Sequence, residues 1–224
     1  MRQRKFNGRR KFDDRMFDNY SSDSCYWAGF LAADGYVKDN RLSISLAAKD
    51  ETHLIKFKDF MHSTNAITTL TNGAKQINLH SWEMTEQLET KWNIITKKSL
   101  VYQYPEQMPS EYFWHFMRGY FDGDGTWCES FSNKNSRTAS FYMRFLGSPD
   151  FMIAVSDKIF KLLQKTPIKL QTHPNGINLA LKLNTNDAIL FGNLLYSKAP
   201  IESRLERKYL IWHKVALDNN RLVR

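Results

Sequence analysis

The sequence predicts an α+β protein built from two homologous halves, and three observations predict it. An apolar helix running into Asp-Gly occurs twice, at Tyr26–Tyr36 and Phe116–Thr126. Gly29 aligns with Gly119, Asp34 with Asp124 and Gly35 with Gly125, at a constant offset of 124 − 34 = 90 residues. The stretch after each copy then follows one order of elements, α-β-β-α-β-β-α, as a duplicated unit does. Finally, 224 residues with 42% hydrophobic and 25% charged side chains suffice for a globular core.

Each element has its own sequence reason. Ser21, Ser22, Asp23 and Ser24 offer N-caps to a first helix over Cys25–Ala33, which ends at Asp34-Gly35, where a glycine can turn left-handed. Leu42, Ile44 and Leu46 alternate with Arg41, Ser43 and Ser45, the pattern of a half-buried strand, with Tyr36–Lys38 as its hairpin partner across Asp39-Asn40. Asp50–Met61 is amphipathic and helical. Ile67–Leu70 and Gln76–Leu79 flank Asn72-Gly73, a hairpin turn. Trp82–Ile95 is a helix with Trp82, Leu88, Trp92 and Ile95 on its apolar side, and residues 97–110, with Pro105 and Pro109, read as a linker.

The second half repeats this: helix Phe113–Phe121, strands Thr126–Phe131 and Ser140–Leu146, helix Pro149–Leu163, strands Ile168–His173 and Ile177–Leu181, helix Thr185–Tyr196. A longer first hairpin moves the offset to 100, so that Ile77-Asn78-Leu79 aligns with Ile177-Asn178-Leu179. The expected organisation is a basic arm at 1–20, halves at 21–96 and 111–200, and a basic helix at 201–224.

Lysine and arginine number 32 against 23 acidic residues, for a net charge of +9. This balance favours polyanionic partners, nucleic acid before acidic membrane. Cys25 and Cys128 have no metal-ligand spacing and suit a reducing, intracellular compartment. No apolar run reaches the length of a membrane span, and the Arg-rich N-terminus lacks the apolar core of a secretory signal. Asp122-Gly123-Asp124 is not a calcium loop, because the later ligands are missing.

The repeated helix carries the chemistry. Ala28, Gly29 and Ala32 allow two helices to approach closely, and Gly29 and Gly119 each cost about 1 kcal/mol relative to alanine unless packing offsets it. Side-by-side packing would bring Asp34 and Asp124 together at the same end. Two carboxylates at helix C-termini repel one another and face the negative dipole ends, so a cation between them is favourable. Magnesium suits oxygen ligands of this kind and binds substrate phosphates.

Trp27–Gly35 and Met117–Gly125 resemble the nine-residue motif of the LAGLIDADG homing endonucleases, the second copy, with Asp122-Gly123-Asp124-Gly125, more closely. Met108-Pro109 and Leu205-Glu206-Arg207-Lys208-Tyr209 also look like this family's single-chain members. The resemblance spans nearly the whole chain after the first twenty or so residues. It implies two pseudo-symmetric αββαββα halves packed through their motif helices, each with a curved antiparallel DNA-binding sheet. It also implies a monomer that cuts both strands of a long asymmetric double-stranded site. Magnesium, or manganese in its place, would sit at Asp34 and Asp124 with Gly35 and Gly125. The family places a lysine near each active centre. Lys98 and Lys198 form a pair under the offset of 100, and Lys49 is a rival in the first half. The alternative is a non-cleaving binder on the same fold, an intron maturase or a DNA-binding regulator.

The strands supply candidate DNA contacts, since arginine and lysine suit guanine edges and glutamine and asparagine suit adenine. In the first half these are Lys38, Arg41, Ser43, Ser45, Lys49, Lys75, Gln76 and Asn78. In the second they are Lys134, Arg137, Ser140, Tyr142, Arg144, Lys169, Gln171, His173, Asn178 and Lys182. The motif helices are not interchangeable, because Arg118 and Tyr120 are bulkier than their counterparts in the first copy, and Ala32 stands where the second copy has Asp122.

Overall fold

The computed structural model describes residues 11–96, 98–131, 139–174 and 176–218. In the first half, α1 (Ser22–Asp34), β1 (Gly35–Lys38), β2 (Arg41–Leu46), α2 (Glu51–Phe60), β3 (Thr68–Thr69), β4 (Lys75–His80) and α3 (Trp82–Trp92) follow in order. A short α4 (Lys98–Val101) lies between the halves. The second half is α5 (Phe113–Asp124), β5 (Thr126–Phe131), β6 (Ala139–Gly147), α6 (Pro149–Leu163), β7 (Gln171–Thr172), β8 (Leu179–Asn184) and α7 (Thr185–Tyr196), followed by α8 (Glu206–Asp218). The two sheets share one antiparallel topology, β1-β2-β4-β3 and β5-β6-β8-β7.

Among the offered N-caps the structure uses Ser21. Its side chain accepts from the Ser24 backbone N–H, and Ser24 Oγ accepts from the Ser21 N–H, a reciprocal capping box. At the other end, Gly35 is extended, with φ −73° and ψ 147°, and begins β1 directly. The expected left-handed stop is therefore absent. Glycine is required there for space: an added Cβ would lie 2.7 Å from the Leu31 carbonyl oxygen. Gly125 is likewise extended, and its Cβ would strike the Phe121 ring. A left-handed residue, Asn93 with φ 56°, caps α3 instead, and the helix stops at Trp92, three residues before the boundary the apolar pattern suggested. Trp82, assigned to the apolar side of that helix, is 47% exposed.

One core runs through both halves. Trp27 packs against Phe57 and Phe60 in the first, and Phe121 against Trp127, Phe145 and Phe191 in the second. Leu42, Ile44, Ile77 and Leu79 bury one face of the first sheet, and Met143, Phe145, Leu181 and Leu183 one face of the second.

The segment joining the halves is packed rather than free, with Tyr102, Tyr104 and Met108 buried and the Tyr102 hydroxyl donating to the Trp92 carbonyl. The residues expected to form an arm also pack from position 11 onward. Phe17 is fully buried against Phe60 and Trp92, and Ser81 Oγ donates to Asp14. Cys25 and Cys128 are free thiols, and burial pushes Cys25 up to about 12, which keeps it inert. Among the described residues no helix is long and apolar enough to cross a membrane.

Candidate active site

The seam between the halves is made by α1 and α5, the most extensive packing between helices in the structure. The glycines create it. A Cβ on Gly29 would lie 2.0 Å from the Phe116 carbonyl oxygen, and one on Gly119 would lie 1.8 Å from that of Tyr26. Backbone thus meets backbone at both crossing points. A third glycine extends the contact toward the helix ends: a Cβ on Gly123 would lie 2.4 Å from Ala33 Cβ and 3.5 Å from the Asp34 nitrogen. Gly123 aligns with Ala33, so the methyl of one copy occupies the space the other copy leaves.

This packing brings the ends of the two motifs together and leaves Asp34 and Asp124 exposed. Both carboxylates act on the same two buried groups, Tyr120 and Lys208. Two carboxylates, with the carbonyls of Gly35 and Gly125 beside them in sequence, form an oxygen-only donor set that fits a hard divalent cation. Among the described residues no three His, Cys, Asp or Glu side chains gather into a metal site. Waters and phosphate oxygens would therefore complete the coordination shell.

Behind this pair lies a buried network that the sequence did not reveal. Asp122 is 1% exposed and accepts from the Tyr26 hydroxyl at 2.8 Å, from the Leu205 backbone N–H at 2.7 Å and from the Tyr196 hydroxyl. Lys208 of α8 donates to the carbonyls of Phe121, Asp122 and Gly123 at 2.8, 2.7 and 3.0 Å. One ammonium thus satisfies three carbonyls at the end of α5 and offsets its negative dipole end. Burial pulls Lys208 down to about 8 although Asp122, Asp34 and Asp124 all pull it upward. Burial likewise raises Asp122, against Lys208 and its hydrogen bonds.

The network crosses the seam. Tyr26 also contacts His53 Nε2 at 3.0 Å, and burial drives His53 down to about 3. Lys56 donates to the Arg204 carbonyl at 3.0 Å, and Arg207 pairs with Asp50 through two nitrogens at 3.1 and 3.0 Å. Arg118 donates to the Ser203 carbonyl of the same C-terminal segment at 2.6 Å and to the Leu195 carbonyl of α7 at 3.2 Å. The segment from Pro200 onward therefore ties both halves to the end of α5. Its signals in the sequence were Asp122, found in only one motif copy, and the Leu205–Tyr209 stretch, but neither says what it touches.

The strand registers correct the internal alignment. Gly35 pairs with Ile44 and Thr126 with Arg144, so Ile44 corresponds to Phe145. Ile44 then pairs with Ile77 and Phe145 with Leu181, an offset of 181 − 77 = 104 rather than 100. Asn78 therefore corresponds to Lys182, not to Asn178, and the symmetry that paired Lys98 with Lys198 is lost. Lys198 is exposed, Lys98 opens α4, and Lys49 is exposed on the turn ahead of α2.

The sheet faces away from the core carry most of the expected contacts. Lys38, Arg41, Ser45, Gln76 and Asn78 share one face in the first half, and Tyr142, Arg144, Lys182 and Gln171 in the second. Ser43 lies on the same face but is 4% exposed, so burial removes it as a contact. Arg41 lies 5.3 Å from the Tyr36 ring centre, and Lys182 lies 4.0 Å from that of Tyr142. Lys75 does not join them. Strand alternation puts it on the side of Ile77 and Leu79, where it pairs with Glu51 at 3.3 Å. Asn178 is nine-tenths buried ahead of β8, which removes it from an open face. Lys169 is exposed outside the strands, and His173 is half-buried in the turn beyond β7. Lys134 and Arg137 lie outside the described residues, as does the side chain of Ser140.

Two such halves, joined through glycine-packed helices that end in paired aspartates, decide the architecture. The fold is that of the LAGLIDADG homing endonucleases. A mutant of I-SmaMI matches 88% of the chain and 91% of its own with a TM-score of 0.61 at 14% identity. I-SmaMI bound to cleaved DNA matches 92% of each chain at 0.60 and 15% identity. I-GzeII in complex with its DNA target matches 88% of this chain and 91% of its own at 0.57 and 14% identity. No protein-family model and no curated protein matches the sequence.

Proposed function

We propose that the protein is a monomeric, site-specific DNA endonuclease that hydrolyses one phosphodiester in each strand at the seam between its halves. The observation that carries this reading is the juxtaposition of Asp34 and Asp124 at the adjoining ends of α1 and α5, between two sheets with polar outer faces. The solved structures sharing this fold include I-SmaMI on cleaved DNA and I-SmaMI on an uncleaved target with calcium ions, which accords with the reading and with a divalent metal.

Asp34 and Asp124, with the carbonyls of Gly35 and Gly125, would hold magnesium, with manganese as a substitute. Bound there, the metal would activate water and stabilise the departing oxygen of the phosphodiester. The chain's own part is positional. The glycine contacts set the spacing of the two aspartates, and Lys208 holds the last turn of α5 through its carbonyls. Lys208 also supplies positive charge beside the carboxylates, a role for which Lys98, Lys198 and Lys49 remain further candidates. The outer sheet faces would carry the two half-sites of a long asymmetric duplex, with phosphate contacts from the basic surface. A DNA substrate of this kind supports an intracellular location.

Incubation with a library of duplex sites and magnesium tests the proposal. Sequence-specific double-strand cuts are expected, and Asp124→Asn should abolish them while leaving binding intact. Tight binding to a selected site with both strands left whole in magnesium and in manganese would refute it.

A further inference from the structure

The corrected register lets the outer faces of the two sheets be compared position by position, and they are chemically different. In the first sheet Ser45 pairs with Gln76, and the next row pairs Ser43 with Asn78. The corresponding rows of the second sheet pair Leu146 with Ala180, and Arg144 with Lys182. One half thus has a row of hydroxyl and amide, Ser45 and Gln76, followed by a row in which Asn78 stands beside the buried Ser43. The other has an apolar row followed by a row of two cations.

The amide of Gln76 is also fixed in orientation. Its Nε2 donates to Ser45 Oγ at 2.7 Å, and its Oε1 accepts from Asn78 Nδ2 at 2.9 Å. A carboxamide nitrogen carries two hydrogens and its oxygen two lone pairs. One hydrogen and one lone pair of the amide therefore remain for a partner. Adenine presents the matching pair in the major groove, an N7 acceptor beside the N6 amino donor. The equivalent row of the second sheet, Leu146 beside the buried Ala180, has no side-chain hydrogen bond to offer and suits a thymine methyl. In the row beyond it, Arg144 and Lys182 suit the N7 and O6 acceptors of guanine, where the first sheet has Asn78 beside the buried Ser43.

Resting on the proposed endonuclease function, we infer that the two sheets read different bases from different rows of their outer faces. Gln76 selects adenine in one half-site, and Arg144 with Lys182 selects guanine in the other, one row out of mirror register. These contacts fix the orientation of the asymmetric target on the protein.

Selection from a fully randomised duplex library, in calcium to hold complexes uncleaved, followed by sequencing of the bound pool, tests this. Wild type should enrich a non-palindromic site. Gln76→Ala should weaken an adenine preference at one position by roughly ten- to a hundredfold and leave the other half-site unchanged. Arg144→Ala should relax a guanine preference in the opposite half. Gln76→Arg should move the first preference from adenine to guanine, a gain that misfolding cannot produce. The inference is overturned if the Gln76 and Arg144 variants affect the same half-site, or if a specific wild-type site is left unaltered by both. A wild-type protein that enriches no sequence at all would overturn the endonuclease reading itself.

Discussion

Gly119→Ala tests whether the seam depends on direct backbone contact. On an isolated helix, alanine in place of glycine stabilises by about 1 kcal/mol. Here the new methyl would sit 1.8 Å from the Tyr26 carbonyl oxygen and 2.8 Å from the Phe30 nitrogen. Both obstacles are backbone atoms, which no rotamer change can move. Restoring ordinary contact requires α1 and α5 to separate by roughly 1.7 Å. Overpacking of this sort typically costs about 1–3 kcal/mol, and here it strains a contact shared by both halves. The two glycines are reciprocal, so separation at Gly119 also loosens the fit at Gly29. We expect net destabilisation of about 2 kcal/mol, which for a chain of this size lowers Tm by roughly 4–8 °C. Cleavage should fall further than folding, by on the order of a hundredfold, because a displacement near 1 Å is enough to misplace reacting groups. Thermal unfolding and single-turnover cleavage of a selected site measure the two effects. An alanine variant as stable as wild type, or more stable, would refute the packing argument, since propensity alone would then have decided the sign.

Three further outcomes follow from the site. Asp122→Asn removes the buried charge that acts on Lys208 and disturbs the carboxylate's three hydrogen bonds, and should cost about 3–5 kcal/mol in denaturant unfolding, with a Lys208→Met double variant losing clearly less than the sum of the singles. Asp34→Asn and Asp124→Asn remove a charge from an unfavourable helix end, so each should leave metal-free stability unchanged or raised by about 0.3–1 kcal/mol while cleavage disappears; a marked loss of stability would show that the aspartates are structural. His53 is held neutral in the fold, down to about 3 from 6.5, so the unfolded chain binds the extra proton. Its contribution is therefore complete above pH 6.5 and is lost as pH falls toward 3, by roughly 1 kcal/mol per unit across that window. His53→Gln should flatten this acid limb relative to wild type, and parallel limbs would refute the assignment.

How much could be read without the structure differs from residue to residue. Gly29, Gly119, Asp34 and Asp124 were legible because a short motif repeats with a fixed spacing, and no insertion falls inside it. The boundaries of α6 matched the apolar pattern, bracketed by Pro149 at its start. Beyond the first hairpin the halves are offset by 104 residues rather than 100, and the Ile-Asn-Leu that occurs in both halves stands at positions that are not equivalent. Only the ladder, in which Leu181 stands where Ile77 does, fixes the register. Lys75 looked like another cation on a polar strand, and a single step of alternation turned it toward Glu51.

The sequence by itself determined the duplication, the element order and the identity of the paired aspartates, because these are properties of local pattern and spacing. The tertiary structure alone decided what surrounds them. Asp122 is separated from Tyr26, Tyr196 and Lys208 by between 74 and 96 positions along the chain, apart from the hydrogen bonds that join them. Contacts of that range carry no periodic signature. They arise when α8 folds back over the end of α5 and burial makes each charge depend on its partner. The same physics sharpens the motif itself. Asp-Gly after an apolar helix is a local stop signal, and it becomes half of a candidate metal centre only because glycine lets a second such helix approach until backbone touches backbone.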